Sequence, residues 1–335
     1  MIENMKTLTI GIATLLVSVL PVTSWAAKPS ATTLNCRVYG FRAETVYMDC
    51  NSDLSISAQF PARQGEDMTM RFAADRLTVI NVNDTEIFVE PGDSLCTDIR
   101  FGNQSRRPES LEFTGSPRSV VENEIFQSLE KYRNSIKYRE QLLACVVIDV
   151  KPADRIADSE KMMQRVNETL DRTRKKTSAE FRNYVSAYYE SMYWMSKIEY
   201  PVMYAELRKV PLDKQGIGDY WAVADKLKLR KDRASLDCFH YYELILRYCT
   251  FCGEREAAAR GETYVRPDEL EDAYRELAAF YKGNSAVRDA ALYALLGNYI
   301  RQGQQIERVD ALLPDYLKKY NRNKQYAATL EALMQ

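Results

Sequence analysis

The sequence predicts an α+β protein in which an N-terminal antiparallel, β-sandwich-like domain precedes an irregular all-helical array. Two observations predict this fold class. Over residues 34–113, short segments that alternate apolar and polar residues are separated by turn residues, with no helical pattern between them. After Pro117 the apolar residues recur every three to four positions, as they do in helices. We therefore expect a β-sandwich-like domain over residues 27–116 and a helical domain over residues 117–335.

The first residues predict export. Lys6 precedes an apolar run over residues 8–20, and Ser24 and Ala26 then frame a cleavage site of small residues. This order is typical of a secretory signal peptide, so we expect residues 1–26 to be removed and the mature protein to be periplasmic or secreted. No later apolar run approaches the roughly 18 residues that a membrane-spanning helix needs, so we expect no membrane span.

The composition argues against several classes of function. The 46 lysine and arginine residues nearly balance the 47 aspartate and glutamate residues, so there is no overall positive charge to attract a nucleic acid. One histidine and 13 glycines in 335 residues argue against multi-histidine metal sites and glycine-rich phosphate loops. We expect no metal, no cofactor and no nucleic-acid partner.

The β domain is predicted to contain seven short strands. Turn residues such as Asn83 and Asp84 bound them, and Glu90-Pro91-Gly92-Asp93 fits a type II turn that local backbone chemistry explains without a functional role. The predicted strands cover residues 33–39, 45–50, 55–60, 68–72, 77–82, 86–89 and 95–101.

The seven cysteines can be disulfide-bonded or free thiols. In an oxidising compartment some could form disulfides, although the odd number leaves at least one free thiol. A bond between Cys36 and Cys50 across a first hairpin is the pairing that we consider first. For most of the other cysteines we expect burial as free thiols, which behave as small apolar side chains.

The helical domain is predicted from successive apolar stripes. The first begins near Val121 and extends toward residue 147, and later stripes cover residues 162–170 and 181–195, where Pro201 should end or kink the helix. Residues 237–253 form the most apolar segment of the domain and are predicted to be its central helix. Beyond Pro267, short helices with short connections predict antiparallel helical hairpins without a fixed repeat.

Cys249 and Cys252 within the central helix raise the hypothesis of a thiol–disulfide pair. In thioredoxin-type enzymes the reactive cysteine lies at a helix N-terminus, where the helix dipole stabilises its thiolate. Here about three turns precede Cys249, and His240 lies on the opposite helix face, nine residues away at about 100° per residue. We therefore favour a role in core packing, with a redox enzyme as the alternative.

Aromatic residues suggest a second hypothesis, a ligand groove. Many of the 22 tyrosines lie within residues 184–242, which are predicted to be largely helical. Tyrosine combines apolar area with a hydroxyl group, so such side chains can line a groove for a peptide, a glycan or a protein. The candidates are Tyr188, Tyr193, Trp194 and Trp221, and the competing interpretation is aromatic core packing.

The segment around the β-to-α transition resembles a known family. Residues 87–94 (IFVEPGDS), residues 111–116 (LEFTGS) and Asn123 resemble the N-terminal accessory region of secreted thioredoxin-like, thiol–disulfide oxidoreductase proteins. The resemblance implies a small β domain and a helical segment ahead of a thioredoxin domain, and a periplasmic redox protein as a partner. No W-C-x-x-C helix start is present in this sequence, so no catalytic residue is carried over. We therefore expect an exported, non-catalytic binding or scaffolding module.

Overall fold

The N-terminal domain is a two-sheet sandwich. The structure, a computed structural model, describes residues 29–102, 108–136 and 150–335. Within these residues the strands form two four-stranded sheets with the orders β4-β1-β7-β8 and β3-β2-β5-β6. The strands are β1 (Ser30–Tyr39), β2 (Thr45–Asp49), β3 (Ser57–Pro61), β4 (Met68–Ala74), β5 (Thr78–Val82), β6 (Thr85–Val89), β7 (Ser94–Phe101) and β8 (Pro108–Gly115). Helices follow, which confirms the predicted α+β class.

Two features of the sandwich depart from the sequence pattern. β1 pairs with β4 antiparallel but with β7 parallel, placing Thr33 opposite Ser94, while the other named ladders are antiparallel. β8 was not predicted as a strand, because it is an edge strand with only Leu111 and Phe113 turned toward the apolar core. Periodicity detects buried strands well and exposed edge strands poorly.

The predicted hairpin between Cys36 and Cys50 is wrong. Cys36 lies on β1 and Cys50 directly follows β2, and these two strands belong to different sheets instead of pairing with each other. Both thiols are free and lie in the sandwich core. Burial, helped by the nearby charge of Asp98, raises the pKa of Cys36 to about 12, so this thiol is protonated at neutral pH.

The helical domain follows the predicted stripes. Pro201 lies in the first turn of its helix, where its missing N–H leaves no intrahelical bond unmade, so one predicted helix becomes two. The helices are α1 (Pro117–Ser135), α2 (Pro152–Thr173), α3 (Ala179–Ile198), α4 (Tyr200–Arg208), α5 (Val223–Lys226), α6 (Arg233–Leu236), α7 (Phe239–Ala259), α8 (Leu270–Phe280), α9 (Ser285–Arg301), α10 (Ile306–Asp315) and α11 (Lys324–Leu333).

The predicted central helix is α7. It begins after Cys238 and extends six residues beyond the predicted end, from residue 253 to Ala259. It packs against α3 and α9 within the main helical core, where Leu244, Ile245 and Phe251 are fully buried. Its burial on several sides agrees with the two apolar stripes in its sequence.

The sequence predicts no membrane span and a signal peptide at the N-terminus. Among the described residues, no helix combines the length and the apolar character required to cross a bilayer. The predicted signal peptide, residues 1–26, lies outside the described residues, as does Cys145.

Candidate functional site

The structure places the predicted redox cysteines inside the helical core. Cys249 is buried, and burial raises the pKa of its thiol to about 12, with Glu276 and Cys252 adding to the effect. Cys252 is half-buried, burial raises the pKa of its thiol too, and both cysteines are free thiols. Because the thiolate is the nucleophile in disulfide exchange, a pair of protonated thiols is poorly suited to that chemistry.

Two of the four aromatic candidates belong to the core. Tyr188 is buried and contacts the ring of His240 edge to face at 4.7 Å. Trp221 stacks on Phe251 with ring centroids 5.5 Å apart. Their positions are those of packing residues, as the competing interpretation expects.

Of the other two aromatic candidates, Tyr193 borders an open groove between α2 and α3, whereas Trp194 packs against the helical core beside it. Tyr193 and Trp194 are half-buried, with their rings 4.8 Å apart. Tyr193 borders the groove, whose volume is about 470 Å³. The lining consists of one α3 residue and one face of α2: Tyr193, Glu160, Met163, Gln164, Asn167, Glu168 and Asp171.

The side chain of Lys197 binds at one edge of this groove. The Lys197 ammonium lies 4.5 Å from the centroid of the Tyr193 ring and donates to Glu160 at 2.8 Å. An aromatic face beside a carboxylate is a favourable environment for an ammonium or guanidinium group. The charged side chains among the described lining residues are all acidic, since Glu168 and Asp171 accompany Glu160, so the groove is suited to positively charged ligands.

A second region of interest is the junction between the sandwich and the helices. Strand β6 is an edge strand, and α1 covers its exposed backbone groups with side chains. Asn123 Oδ1 accepts from the Phe88 N–H at 3.0 Å, and its Nδ2 donates to the Phe88 carbonyl at 2.7 Å. Ser119 Oγ accepts from the Glu90 N–H at 3.0 Å and donates to Asp93 at 2.8 Å. Asn123 thus takes the place of a neighbouring strand.

Helix α3 completes the junction from the other side. Glu180 accepts a hydrogen bond from the Leu77 N–H at 2.8 Å, and Tyr184 donates to Glu86 at 2.8 Å. The Phe88 ring makes edge-to-face contacts with Phe181 and with the ring of Tyr184, at 5.1 and 5.4 Å. The sandwich is therefore joined to the helices by both apolar packing and directed hydrogen bonds.

Two carboxyl groups meet in the interior of this junction. Glu122 of α1 is fully buried and accepts from the Ser178 N–H at 2.7 Å, while Glu90, directly after β6, is 8% exposed. The two carboxyl groups act on each other electrostatically, and each has a buried oxygen, Glu90 Oε1 and Glu122 Oε2, without a hydrogen-bond partner among the described residues. A proton on one carboxyl group would let it donate to the other. Burial, reinforced by the charge of Glu90, raises the pKa of Glu122 to about 8, and burial raises the pKa of Glu90 as well.

A small cavity at the same junction is too small to be a substrate site. It lies between the sandwich and α6, with Asn51, Arg76, Tyr184 and Asp237 in its wall, and its volume is about 20 Å³. That volume holds a single water molecule. Burial raises the pKa of the Asp237 carboxyl to about 7, partly offset by Arg76.

The carboxyl pair has no signature in the sequence. The type II turn accounts for the presence of Glu90, and no pattern distinguishes Glu122 from the other acidic residues, of which the sequence has 47 in total. The only available signal was the proximity of Glu122 to Asn123, a residue singled out by the family resemblance. In the described part of the chain, no cluster of three or more histidine, cysteine, aspartate or glutamate residues could hold a metal ion.

Comparisons with known proteins identify no family for this chain. No protein-family model matches the chain, and no curated protein or solved structure matches it either.

Proposed function

We propose that this protein is an exported, non-catalytic binding or scaffolding module that binds a segment of a protein partner in the α2–α3 groove. The observation that supports this proposal most directly is the open groove with an aromatic residue, Tyr193, and an acidic lining. The partner segment that best complements it carries lysine or arginine residues. A periplasmic redox protein, the partner class implied by the family resemblance, is the first to test for such a segment.

The groove chemistry predicts how the segment binds. An incoming cation would compete with Lys197 for the Tyr193 ring, or pair with Glu168 and Asp171 farther along α2. Cation–π contacts at exposed sites contribute about 0.5–1 kcal/mol each, and exposed ion pairs are weakened by salt. We therefore expect binding that is modest and decreases as the salt concentration rises.

The test uses Trp194 as a reporter. Trp221→Phe leaves Trp194 as the only tryptophan after residue 26. Titration with a lysine-rich peptide should shift its fluorescence, and a glutamate-rich peptide of the same length should not. Adding Tyr193→Ala should weaken binding about two- to fivefold, which corresponds to about 0.5–1 kcal/mol. Tyr47→Ala, an exposed tyrosine on the sandwich, is the matched control.

Other results would contradict the proposal. Equal binding of both peptides, or no effect of Tyr193→Ala, would exclude the groove as a cation-binding surface. A response to neutral glycans in place of basic peptides would favour the glycan-binding alternative for the tyrosine-rich helices.

The redox alternative has its own test. We expect native protein isolated without reductant to contain Cys249 and Cys252 as thiols, as shown by alkylation and mass mapping, and to lack insulin-reducing activity. Both expectations follow from the raised thiol pKa values. Insulin reduction that is abolished by Cys249→Ser would establish that the protein is a thiol–disulfide oxidoreductase and would contradict the proposal of a non-catalytic binding module.

A further inference from the structure

The Glu90–Glu122 pair lies where three elements of the junction meet. Glu90 belongs to the turn after β6, Glu122 to α1, and both contact Ser178 at the start of α3. Ser178 also caps α3, since its Oγ accepts from the Phe181 N–H at 2.9 Å. A change in the charge of the pair therefore acts on the sandwich and on two helices at once.

The surroundings supply few groups that could neutralise two charges. Glu90 Oε1 and Glu122 Oε2 are buried and have no hydrogen-bond partner within the described residues, so only a shared proton would satisfy them. Arg118 of α1 favours ionisation of Glu90, but it is exposed, whereas Glu180 of α3 opposes ionisation. Asp93, from the turn, adds a further carboxylate bound to Ser119. Two buried carboxylates in contact cannot both ionise without a large electrostatic cost.

We propose that the Glu90–Glu122 pair is a proton-dependent latch: one shared proton holds the sandwich against α1 and α3, and loss of that proton loosens the junction. The latch acts on domain docking, so it is independent of the α2–α3 groove and of its partner.

The direction of the pH dependence follows from the titration of Glu122. Its pKa in the folded protein is about 8, above the ordinary value of 4.5. Between these values the folded state binds more protons than the unfolded state, so the stabilisation is complete at low pH and is lost as the pH rises through about 8. The equilibrium constant for unfolding should increase by up to about tenfold per pH unit within this window.

Hydrogen exchange and denaturant unfolding between pH 5 and pH 9 test the latch. In the wild-type protein, protection factors of the Phe88, Glu90 and Ser178 amides should fall by up to about tenfold per pH unit from pH 6 to pH 8. The Ile80 amide, in the interior of the same sheet, should respond less. Glu122→Gln should remove this extra pH dependence, because the glutamine amide replaces the shared proton as a donor to Glu90.

The matched control is Glu124→Gln, an exposed carboxyl on the same helix, which should keep the wild-type pH dependence. Equal pH slopes in the wild type and in Glu122→Gln would overturn the latch.

Infrared spectroscopy of the wild-type protein is an independent test, which does not require Glu122→Gln to fold. A buried protonated carboxyl band present at pH 6 and lost at pH 9 supports the latch, and its absence at pH 6 overturns it.

Discussion

Asp289 and the Glu90–Glu122 pair are both buried carboxyl sites that join segments distant in the chain, but their charges are balanced differently. Asp289 on α9 accepts from the Tyr316 hydroxyl at 2.5 Å and from the N–H groups of Arg322 and Asn323 at 2.7 and 2.8 Å. Burial raises the pKa of Asp289, and these donors lower it. The carboxylate thereby fixes the chain between α10 and α11.

The glutamate pair has fewer donors for two carboxyl groups. Its described donors are the Ser178 N–H and hydroxyl, so the pair retains a proton that Asp289 does not require. The comparison indicates that the number of converging donors decides whether a buried carboxyl is held by charge or by a proton. A donor-rich site should therefore be sensitive to loss of the carboxylate, and a donor-poor site should be sensitive to pH.

The largest effect is expected from Asp289→Ala. The substitution leaves the buried Tyr316 hydroxyl and two part-buried backbone N–H groups without their acceptor, and an unsatisfied buried donor is costly. We expect the free energy of unfolding, measured in urea, to fall by about 3–5 kcal/mol. Asp310→Ala, at an exposed position, should change it by less than about 0.5 kcal/mol. Equal effects of the two substitutions would break the comparison.

Asn123→Ala should be the next most destabilising change. It removes both hydrogen bonds to Phe88 and leaves an N–H and a carbonyl of strand β6 unsatisfied. A loss of about 2–3 kcal/mol in urea unfolding is expected. Asn134→Ala, an exposed amide on the same helix, is the control. If Asn123→Ala proves neutral, water must reach β6, and the junction is not the dry, donor-poor site of the comparison.

Tyr316→Phe should have the smallest effect and sharpens the comparison. It removes one donor from Asp289 and keeps the backbone donors, so we expect a loss of about 1.5 kcal/mol at pH 7. With fewer donors the pKa of Asp289 should rise, so stability should be lost progressively as the pH increases through that higher pKa. Urea unfolding at several pH values measures both effects, with Tyr299→Phe on α9 as the control. An unchanged pH profile would show that donor number does not control this carboxyl.

Much of the fold was predictable because it is determined by local periodicity. The alternation of apolar residues identified the buried strands, and Pro201 marked the boundary between α3 and α4. The parallel pairing of β1 with β7 and the exposed strand β8 were not predictable in this way. Alternation specifies the face of a strand that is buried, but not the strand that lies beside it.

The candidate sites were predictable only in part, for a related reason. Tyr188 and Tyr193 have the same residue type and lie five positions apart on α3, yet one is buried and the other borders a groove. Their difference depends on where α2 and α7 pack. The contact of Glu90 with Glu122 depends on the docking of α1 against β6, which no pattern within either segment encodes.

The parallel pairing of β1 with β7 also has a consequence for the order of folding. Among the described strands β1 is synthesised first, but its place between β4 and β7 cannot be filled until Phe101 at the end of β7 has been made. Non-local pairing of this kind slows folding, and an apolar strand that waits for its partners is prone to aggregate. The helical hairpins near the C-terminus form from close neighbours and have no such delay. We therefore expect the sandwich to limit the folding rate, and β1 to be the segment that a chaperone must protect on the nascent chain.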